Sequence, residues 1–261
     1  MIQLIRAELQ KLFTTRIWWA MLIVMLLLTG LSLFFIIFFA GEPAQNGAPG
    51  LPALEDPAWL PIGLSAASGG TIFTMILGVI MMTSEYRYQT ITGTFLTTPQ
   101  RGRVIAAKLG AGVVVGVLFA VVSLLVVGVT CVIAVLAAGG ELDLTGNRVP
   151  QIVLGVFASL ALYALFGIGL GALIRNQIAA LIGAIVWAYV IESIFGAIPA
   201  LQVVGKWLPG GGAAALMSID VDTGLGAPDL LPAWGGALLL IGYAVLFAVV
   251  ANLTTTRRDI T

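Results

Sequence analysis

The chain of 261 residues contains no histidine and only one cysteine, Cys131. The lack of histidine excludes zinc or haem sites with histidine ligands and any Ser-His-Asp catalytic triad. A single cysteine within an apolar run excludes an intrachain disulfide and a cysteine-ligated metal site. The sequence also lacks a GxxxxGK[ST] phosphate-binding loop, so it has no P-loop with which to hydrolyse nucleotides.

Charged residues are equally scarce. They make up 9% of the chain, whereas 60% of the residues are hydrophobic. Soluble domains have about a quarter of their residues charged, and about 20 consecutive apolar residues suffice to cross a bilayer as a helix. Several apolar runs exceed that length. The composition therefore predicts an all-α integral membrane protein without a sizeable soluble domain.

The hydrophobic pattern predicts six membrane spans preceded by an interfacial helix. The predicted spans cover residues 17–40, 62–83, 104–138, 151–174, 178–198 and 233–253. In residues 1–16 the apolar side chains fall on one helical face and Arg6, Gln10 and Lys11 on another, as in a helix lying in the membrane interface. A merely basic tail next to the membrane is the alternative. We therefore predict an interfacial helix at 1–16 and one membrane domain over 17–261.

Charge is distributed unevenly between the two sides of this predicted bundle. Ten of the twelve Lys and Arg residues fall on the side of the termini, and eight of the twelve acids fall on the opposite side. Cytoplasmic loops of membrane proteins carry an excess of Lys and Arg. The pattern therefore predicts a multi-pass protein of the cytoplasmic membrane with both termini in the cytoplasm.

The polar residues between the second and third spans form a short basic segment, residues 84–108. It carries four of the twelve basic residues, is rich in threonine and is interrupted by Pro99. Two interpretations remain open. The segment could be a docking surface for a cytosolic partner, with its cations facing the cytosol, or a polar loop whose charges only follow membrane topology.

Glu192 is the only acid deep in a predicted span. An ionisable group there costs several kcal/mol unless it is paired or hydrated. One interpretation makes it a site for a proton or a substrate cation. The other makes it a structural acid, hydrogen-bonded to a neighbouring helix near the outer interface.

The basic segment resembles the region after the second span in ABC-2-type transporter permeases of the actinobacterial sort. In that family an E-x-R-x-G-T stretch leads to a P-x-R-x-R-V-I-A-A-K element. The matching residues here are Glu85, Arg87, Thr90, Pro99, Arg101, Arg103, Ala106, Ala107 and Lys108. Gln89 departs from the pattern, because glycine is the commoner residue at that position. The Lys11-Leu12 pair before the first span and Leu208-Pro209-Gly210 in the last long loop are also similar to family elements.

The resemblance implies a permease that pairs with ATP-binding subunits on separate chains and with a second copy of itself or a related permease. ATP and Mg²⁺ would bind in the partner ATPase, and this chain would hold no cofactor or metal and carry out no enzymatic step. The basic segment would act as a cytoplasmic coupling helix that docks on the ATPase together with the interfacial helix. The loop between spans five and six would form short re-entrant helices that gate the exit.

We therefore expect an ATP-driven exporter subunit in the lipid bilayer, with no nucleic-acid partner. Its uniformly apolar spans favour a lipophilic or amphiphilic substrate, such as a drug, a lipid-like molecule or a peptide. Two alternatives remain open. One is an ATP-independent secondary transporter that uses Glu192, and the other is a membrane scaffold or sensor subunit that transports nothing.

Overall fold

The computed structural model describes residues 1–43, 50–90, 100–144, 146, 148–174, 176–217 and 230–256. Over these residues the secondary structure is entirely helical, with no strand. The all-α prediction is confirmed to that extent. The predicted coupling helix cannot be compared with the structure, because residues 91–99, including Pro99, lie outside the described residues.

In the described residues of its first half, the chain contains five α-helices. They are α1 (Ile2–Phe13), α2 (Ile17–Phe38), α3 (Trp59–Ser65), α4 (Thr71–Arg87) and α5 (Arg101–Ala137). A 3₁₀ turn at Ala66–Gly70 joins α3 to α4. The second half contains α6 (Val149–Leu173), α7 (Gln177–Val186), α8 (Glu192–Ala197), α9 (Pro199–Gly205), α10 (Pro209–Met217) and α11 (Ala233–Thr256). A π-helical segment, Trp187–Ile191, joins α7 to α8.

Within the described part of the chain, five helical stretches are long and apolar enough to cross a membrane. They are Ile17–Phe38, Trp59–Arg87, Gly102–Ala137, Val149–Leu173 and Gln177–Gly196. These correspond to the first five predicted spans. The sixth predicted span coincides with α11, whose described apolar part, Ala233–Phe247, is shorter than the other five. The six-span layout therefore stays a prediction.

Several predicted boundaries differ from the structure. The second span starts earlier than predicted, because α3 begins at Trp59 and continues through the 3₁₀ turn into α4. The side chain of Trp59 is fully buried. The helix of the third span, α5, begins at Arg101, so Arg101 and Arg103 lie in its first turn and do not precede it. Its 37 residues extend about 55 Å, well beyond the roughly 30 Å of the bilayer core.

The interfacial helix α1 is shorter than the predicted 1–16. It ends at Phe13, where the hydroxyls of Thr14 and Thr15 donate hydrogen bonds to the carbonyls of Gln10 and Leu12. The same two carbonyls also accept hydrogen bonds from the backbone N–H groups of Thr14 and Thr15, each at 3.0 Å, so side chains and backbone together cap this helix end. Glu8 and Leu12 are buried, while Arg6 is exposed. The helix therefore packs one face on the bundle.

Helices α4 and α6 form the centre of the bundle and approach each other through glycines. A Cβ on Gly78 of α4 would collide with the carbonyl of Ala164, and a Cβ on Gly167 of α6 would collide with that of Met75. Small residues at helix contacts allow such close approach in membrane proteins. The backbones of α4 and α6 are therefore in direct contact at these glycines.

Candidate coupling site

Four ionisable side chains from three helices meet where α1 crosses the bundle. We call Glu8, Lys11, Glu85 and Lys108 the charge cluster. The Lys108 Nζ atom lies 2.6 Å from Glu8 Oε2 and 3.1 Å from Glu85 Oε1. The Lys11 Nζ atom lies 2.7 Å from Glu8 Oε1 and 2.8 Å from Glu85 Oε1. Each lysine therefore bridges both carboxylates, and the four groups form a closed ring.

Three members of the charge cluster are removed from solvent. The exposed fractions of Glu8, Glu85 and Lys108 are 7%, 5% and 1%, whereas half of the Lys11 side chain is exposed. Lys108 also donates a hydrogen bond of 3.1 Å to the carbonyl of Met81. Buried charges are tolerated only when they are paired and hydrogen-bonded. Two cations and two anions satisfy this condition and leave the cluster formally neutral.

The sequence brings the four groups together in a simple way. Glu8 and Lys11 are three residues apart in α1, so they lie on the same face of the helix. Glu85 lies in the last turn of α4, and Lys108 lies two turns into α5. Close contact of α1 with α5 requires Gly110, because a Cβ there would lie 2.8 Å from Ile5 Cδ1. The cluster thus holds α1 against the ends of the second and third spans that are predicted to face the cytoplasm.

The surroundings of Lys11 favour its charged form. Partial burial acts to lower the pKa of Lys11, but the hydrogen bonds and negative charges of Glu8 and Glu85 outweigh it, so the pKa is raised above the ordinary lysine value. Lys11 therefore stays protonated throughout the physiological range.

The remaining predicted docking residues differ in exposure from the charge cluster. Arg87 and Arg103 are exposed, as is Thr90, whose backbone N–H donates to the carbonyl of Glu85 at 3.0 Å. The side chains of Glu85 and Lys108 are buried in the charge cluster, where they join α1, α4 and α5. Lys108 therefore does not face the cytosol, as was expected of the cations in this segment. The structure thus divides the basic segment into exposed residues and buried ones, and the docking role stays a prediction.

The backbone conformation of Gln89 explains why glycine is the commoner residue at this position in ABC-2-type permeases. Its φ of 56° lies in the left-handed region, directly after the end of α4 at Tyr88. Glycine is preferred just after a helix end because this conformation costs a residue with a Cβ about 1–2 kcal/mol. The departure at Gln89 therefore leaves the turn in place at some cost in stability.

A second polar site joins two features that were predicted separately. Glu192 Oε1 accepts hydrogen bonds of 3.0 Å from Trp187 Nε1 and of 3.0 Å from the backbone N–H of Gly210. Gly210 follows Leu208 and the buried Pro209 at the start of α10. A Cβ on residue 210 would collide with the Glu192 carboxylate. The predicted intramembrane acid thus contacts the predicted exit-gate loop.

The two donors favour the structural interpretation of Glu192. A carboxylate with a backbone and an indole N–H as partners fastens the fifth span to α10. The loop is also attached by the Tyr243 hydroxyl, which donates a hydrogen bond of 3.0 Å to the carbonyl of Trp207. Whether α9 and α10 re-enter the membrane stays a prediction.

Sequence reasoning missed Glu8, although a signal was present. Glu8 falls between Ile5 and Leu12 at helical spacing, on the apolar face of an otherwise basic helix. An acid on the face that packs against the bundle requires a cationic partner. Lys108 is the only lysine inside the third predicted span, 104–138. A search for acids and bases at apolar helix positions would have paired them.

These features define a multi-helix membrane protein in which an amphipathic N-terminal helix is fixed to the ends of two spans. Residues 4–192 match the family model described as ABC-2 family transporter protein. The match covers more than half of the chain, so the protein belongs to the ABC-2 transporter family. It includes the whole charge cluster and ends at Glu192. No curated protein matches the chain.

Membership of the family has direct consequences. The chain is a membrane permease of an ABC transporter and not its ATPase, and such a permease works in association with ATP-binding subunits. The resemblance inferred from the basic segment is thereby confirmed at the level of the family.

Proposed function

We propose that this chain is the transmembrane subunit of an ATP-driven exporter, powered by separate ATP-binding subunits that hold ATP and Mg²⁺. The charge cluster is the observation that carries the proposal. It joins both elements of the predicted docking surface, the interfacial helix α1 and the basic segment, through short buried ion pairs.

The charge cluster offers a route by which a push could reach the bundle. A displacement of the chain after Arg87 pulls on Glu85, and a displacement of the chain before Arg103 pulls on Lys108. Lys108 holds Glu8 directly, and Glu85 is joined to α1 through Lys11, so α1, α4 and α5 move together and the ion pairs are not broken. Breaking a buried pair costs about 3–5 kcal/mol, which favours movement of the helices as one body.

The exposed cations are the proposed contacts with the ATPase. Arg103 follows Pro99 in the basic segment, and Arg6 projects from α1, whereas Arg87 lines a cavity beside the charge cluster and is not one of these contacts. The termini are proposed to be cytoplasmic, because ten of the twelve basic residues lie on their side. The ATPase would therefore meet a positively charged surface. A second copy of the chain, or a related permease, completes the transporter.

The substrate is proposed to be lipophilic or amphiphilic and to leave past α10. The spans contain few polar side chains, so they offer little to bind a sugar or an ion. Glu192 holds Gly210 at the start of α10, so this contact is a candidate outer gate that must change for substrate to pass.

Co-purification tests the proposal. The permease, expressed with ATP-binding subunits from its own host, should retain an ABC ATPase through affinity purification. Arg101→Glu combined with Arg103→Glu should weaken this association without lowering the amount of permease in the membrane. Arg257→Glu combined with Arg258→Glu is the matched control, because it reverses two charges on the same predicted side outside the basic segment. Equal ATPase recovery with both double variants would contradict the docking role, and absence of any ATPase would contradict the proposed function.

A further inference from the structure

A cavity of about 110 Å³ lies beside the charge cluster. Its walls include Ile17 at the start of α2, Arg87 at the end of α4 and Gln177 at the start of α7. Lys108, near the start of α5, also contributes. Four apolar spans therefore begin or end around the cavity, which places it at the level of a membrane interface.

The cavity carries more positive charge than its acids neutralise. Three cations and two carboxylates line it, and both carboxylates are engaged by lysines. Arg87 has no ion-pair partner among the residues that the structure describes, and its guanidinium lies 5.6 Å from the centre of the Tyr88 ring. Lys11 donates two hydrogen bonds to the cluster, and an ammonium group has three donors. The cavity thus offers a guanidinium and a free ammonium N–H to an anion.

An unsatisfied acceptor in the cavity wall indicates that the occupant also needs a hydrogen-bond donor. Gln177 Oε1 is buried and accepts no hydrogen bond from the residues that the structure describes. A buried acceptor without a donor costs about 1–3 kcal/mol. An occupant that supplies an O–H group as well as anionic oxygens would satisfy both Gln177 and the cations.

The apolar part of the cavity suits a lipid better than a free anion. Leu12, Ile17, Ile80 and Met81 line it next to the charged groups. The interfacial helix α1 and Trp19, which is partly exposed at the start of α2, mark the depth at which lipid headgroups lie. The first methylenes of acyl chains would contact the apolar residues while the headgroup contacts the cations.

We propose that this cavity binds the headgroup of an anionic glycerophospholipid that carries free hydroxyls, of the phosphatidylglycerol type. Phosphate oxygens accept hydrogen bonds from Arg87 and Lys11, and a headgroup hydroxyl donates to Gln177 Oε1. The lipid occupies the place where α1 meets the charge cluster. Binding depends on this chain alone, so it is independent of the proposed pairing with an ATPase.

Lipid binding to the full-length permease in neutral detergent tests the proposal, by native mass spectrometry and thermal unfolding. Phosphatidylglycerol should remain bound and raise the melting temperature, whereas phosphatidylcholine and inorganic phosphate should have little effect. Arg87→Gln should weaken phosphatidylglycerol binding about tenfold, because it removes a charge-assisted hydrogen bond. Arg6→Gln removes an exposed charge from α1 outside the cavity and should bind as the wild type does.

Gln177→Leu provides an independent readout. This change removes the unsatisfied oxygen, so the lipid-free protein should become more stable while its response to phosphatidylglycerol weakens. An equal response to phosphatidylcholine or inorganic phosphate, or an equal loss in Arg6→Gln, would overturn the proposal. A complex with the ATPase that has lost the bound lipid would also overturn it, because the cavity would then be a protein contact.

Discussion

Replacing Lys108 by methionine tests whether the charge cluster holds the helices together. Lys108 is 1% exposed and donates to Glu8, Glu85 and the carbonyl of Met81. Methionine keeps most of the bulk but leaves two buried carboxylates facing one half-exposed lysine. Removing one partner from a buried ion pair costs about 3–5 kcal/mol, so we expect Lys108→Met to lower the free energy of unfolding by that amount.

A second variant separates charge from packing. Glu8→Gln combined with Lys108→Met removes one anion and one cation, so the remaining Glu85 and Lys11 still form a neutral pair. Replacing both partners of a buried pair costs much less than removing one. We therefore expect the double variant to lose less stability than the sum of the two single variants, by about 1–3 kcal/mol.

Unfolding of the purified permease in one detergent, followed by circular dichroism, measures these differences. Arg103→Met is the matched control, because it removes an exposed cation from the first turn of α5 and should change stability by no more than about 0.5 kcal/mol. A Lys108→Met protein as stable as this control, or costs that simply add in the double variant, would refute the cluster as a structural unit.

Four further predictions concern other parts of the molecule. Gly78→Val should lower the free energy of unfolding by about 3 kcal/mol, because the new side chain would collide with α6. Gly30→Ala should have little effect, because nothing lies within 4 Å of its Cβ. Thermal unfolding compares the two variants, and equal melting temperatures would contradict the close packing of α4 on α6. Glu192→Gln should keep the stability of the wild type, because the amide oxygen still accepts both hydrogen bonds. Glu192→Leu should lower the free energy of unfolding by about 2 kcal/mol, because it leaves the indole of Trp187 and the backbone N–H of Gly210 without an acceptor. Equal losses of the two variants in chemical denaturation would contradict this prediction. Gln89→Gly should be tolerated and Gln89→Val should destabilise the turn, since a β-branched residue is strained at φ 56°; the reverse order of melting temperatures would refute it. The raised pKa of Lys11 predicts that its contribution to stability is complete below about pH 10.4, the ordinary lysine value, and is lost only as the pH rises further; a loss between pH 7 and 9 in Lys11→Met difference melts would contradict it.

Hydrophobic periodicity predicted the helical class and the first five spans because a span must bury its backbone polar groups in its own hydrogen bonds. That constraint is local and can be read from composition. It set the ends less well, since α3 begins at Trp59, which is buried, and α5 begins at Arg101, a charged residue that hydropathy excludes from a span.

The charge cluster required information that is not local. Hydropathy places Glu85 just after the second predicted span and Lys108 in the first turns of the third, and the cations of this segment were expected to face the cytosol. Their burial depends on Glu8, which lies 100 residues from Lys108 along the chain. The contact of Glu192 with Gly210 similarly depends on a chain reversal between α8 and α10 that no single stretch of sequence specifies.

Site-specific cross-linking gives the most direct test of the central claim, that a separate ATPase acts on the basic segment. With Cys131→Ser removing the only native thiol, Arg103→Cys introduces one at the exposed start of α5. Glu42→Cys introduces one at an exposed residue that is predicted to lie on the opposite side of the membrane. We predict that a thiol-reactive cross-linker joins the co-purified ATP-binding subunit to position 103 and not to position 42. No cross-link at position 103, or equal cross-linking at both positions, would contradict the claim.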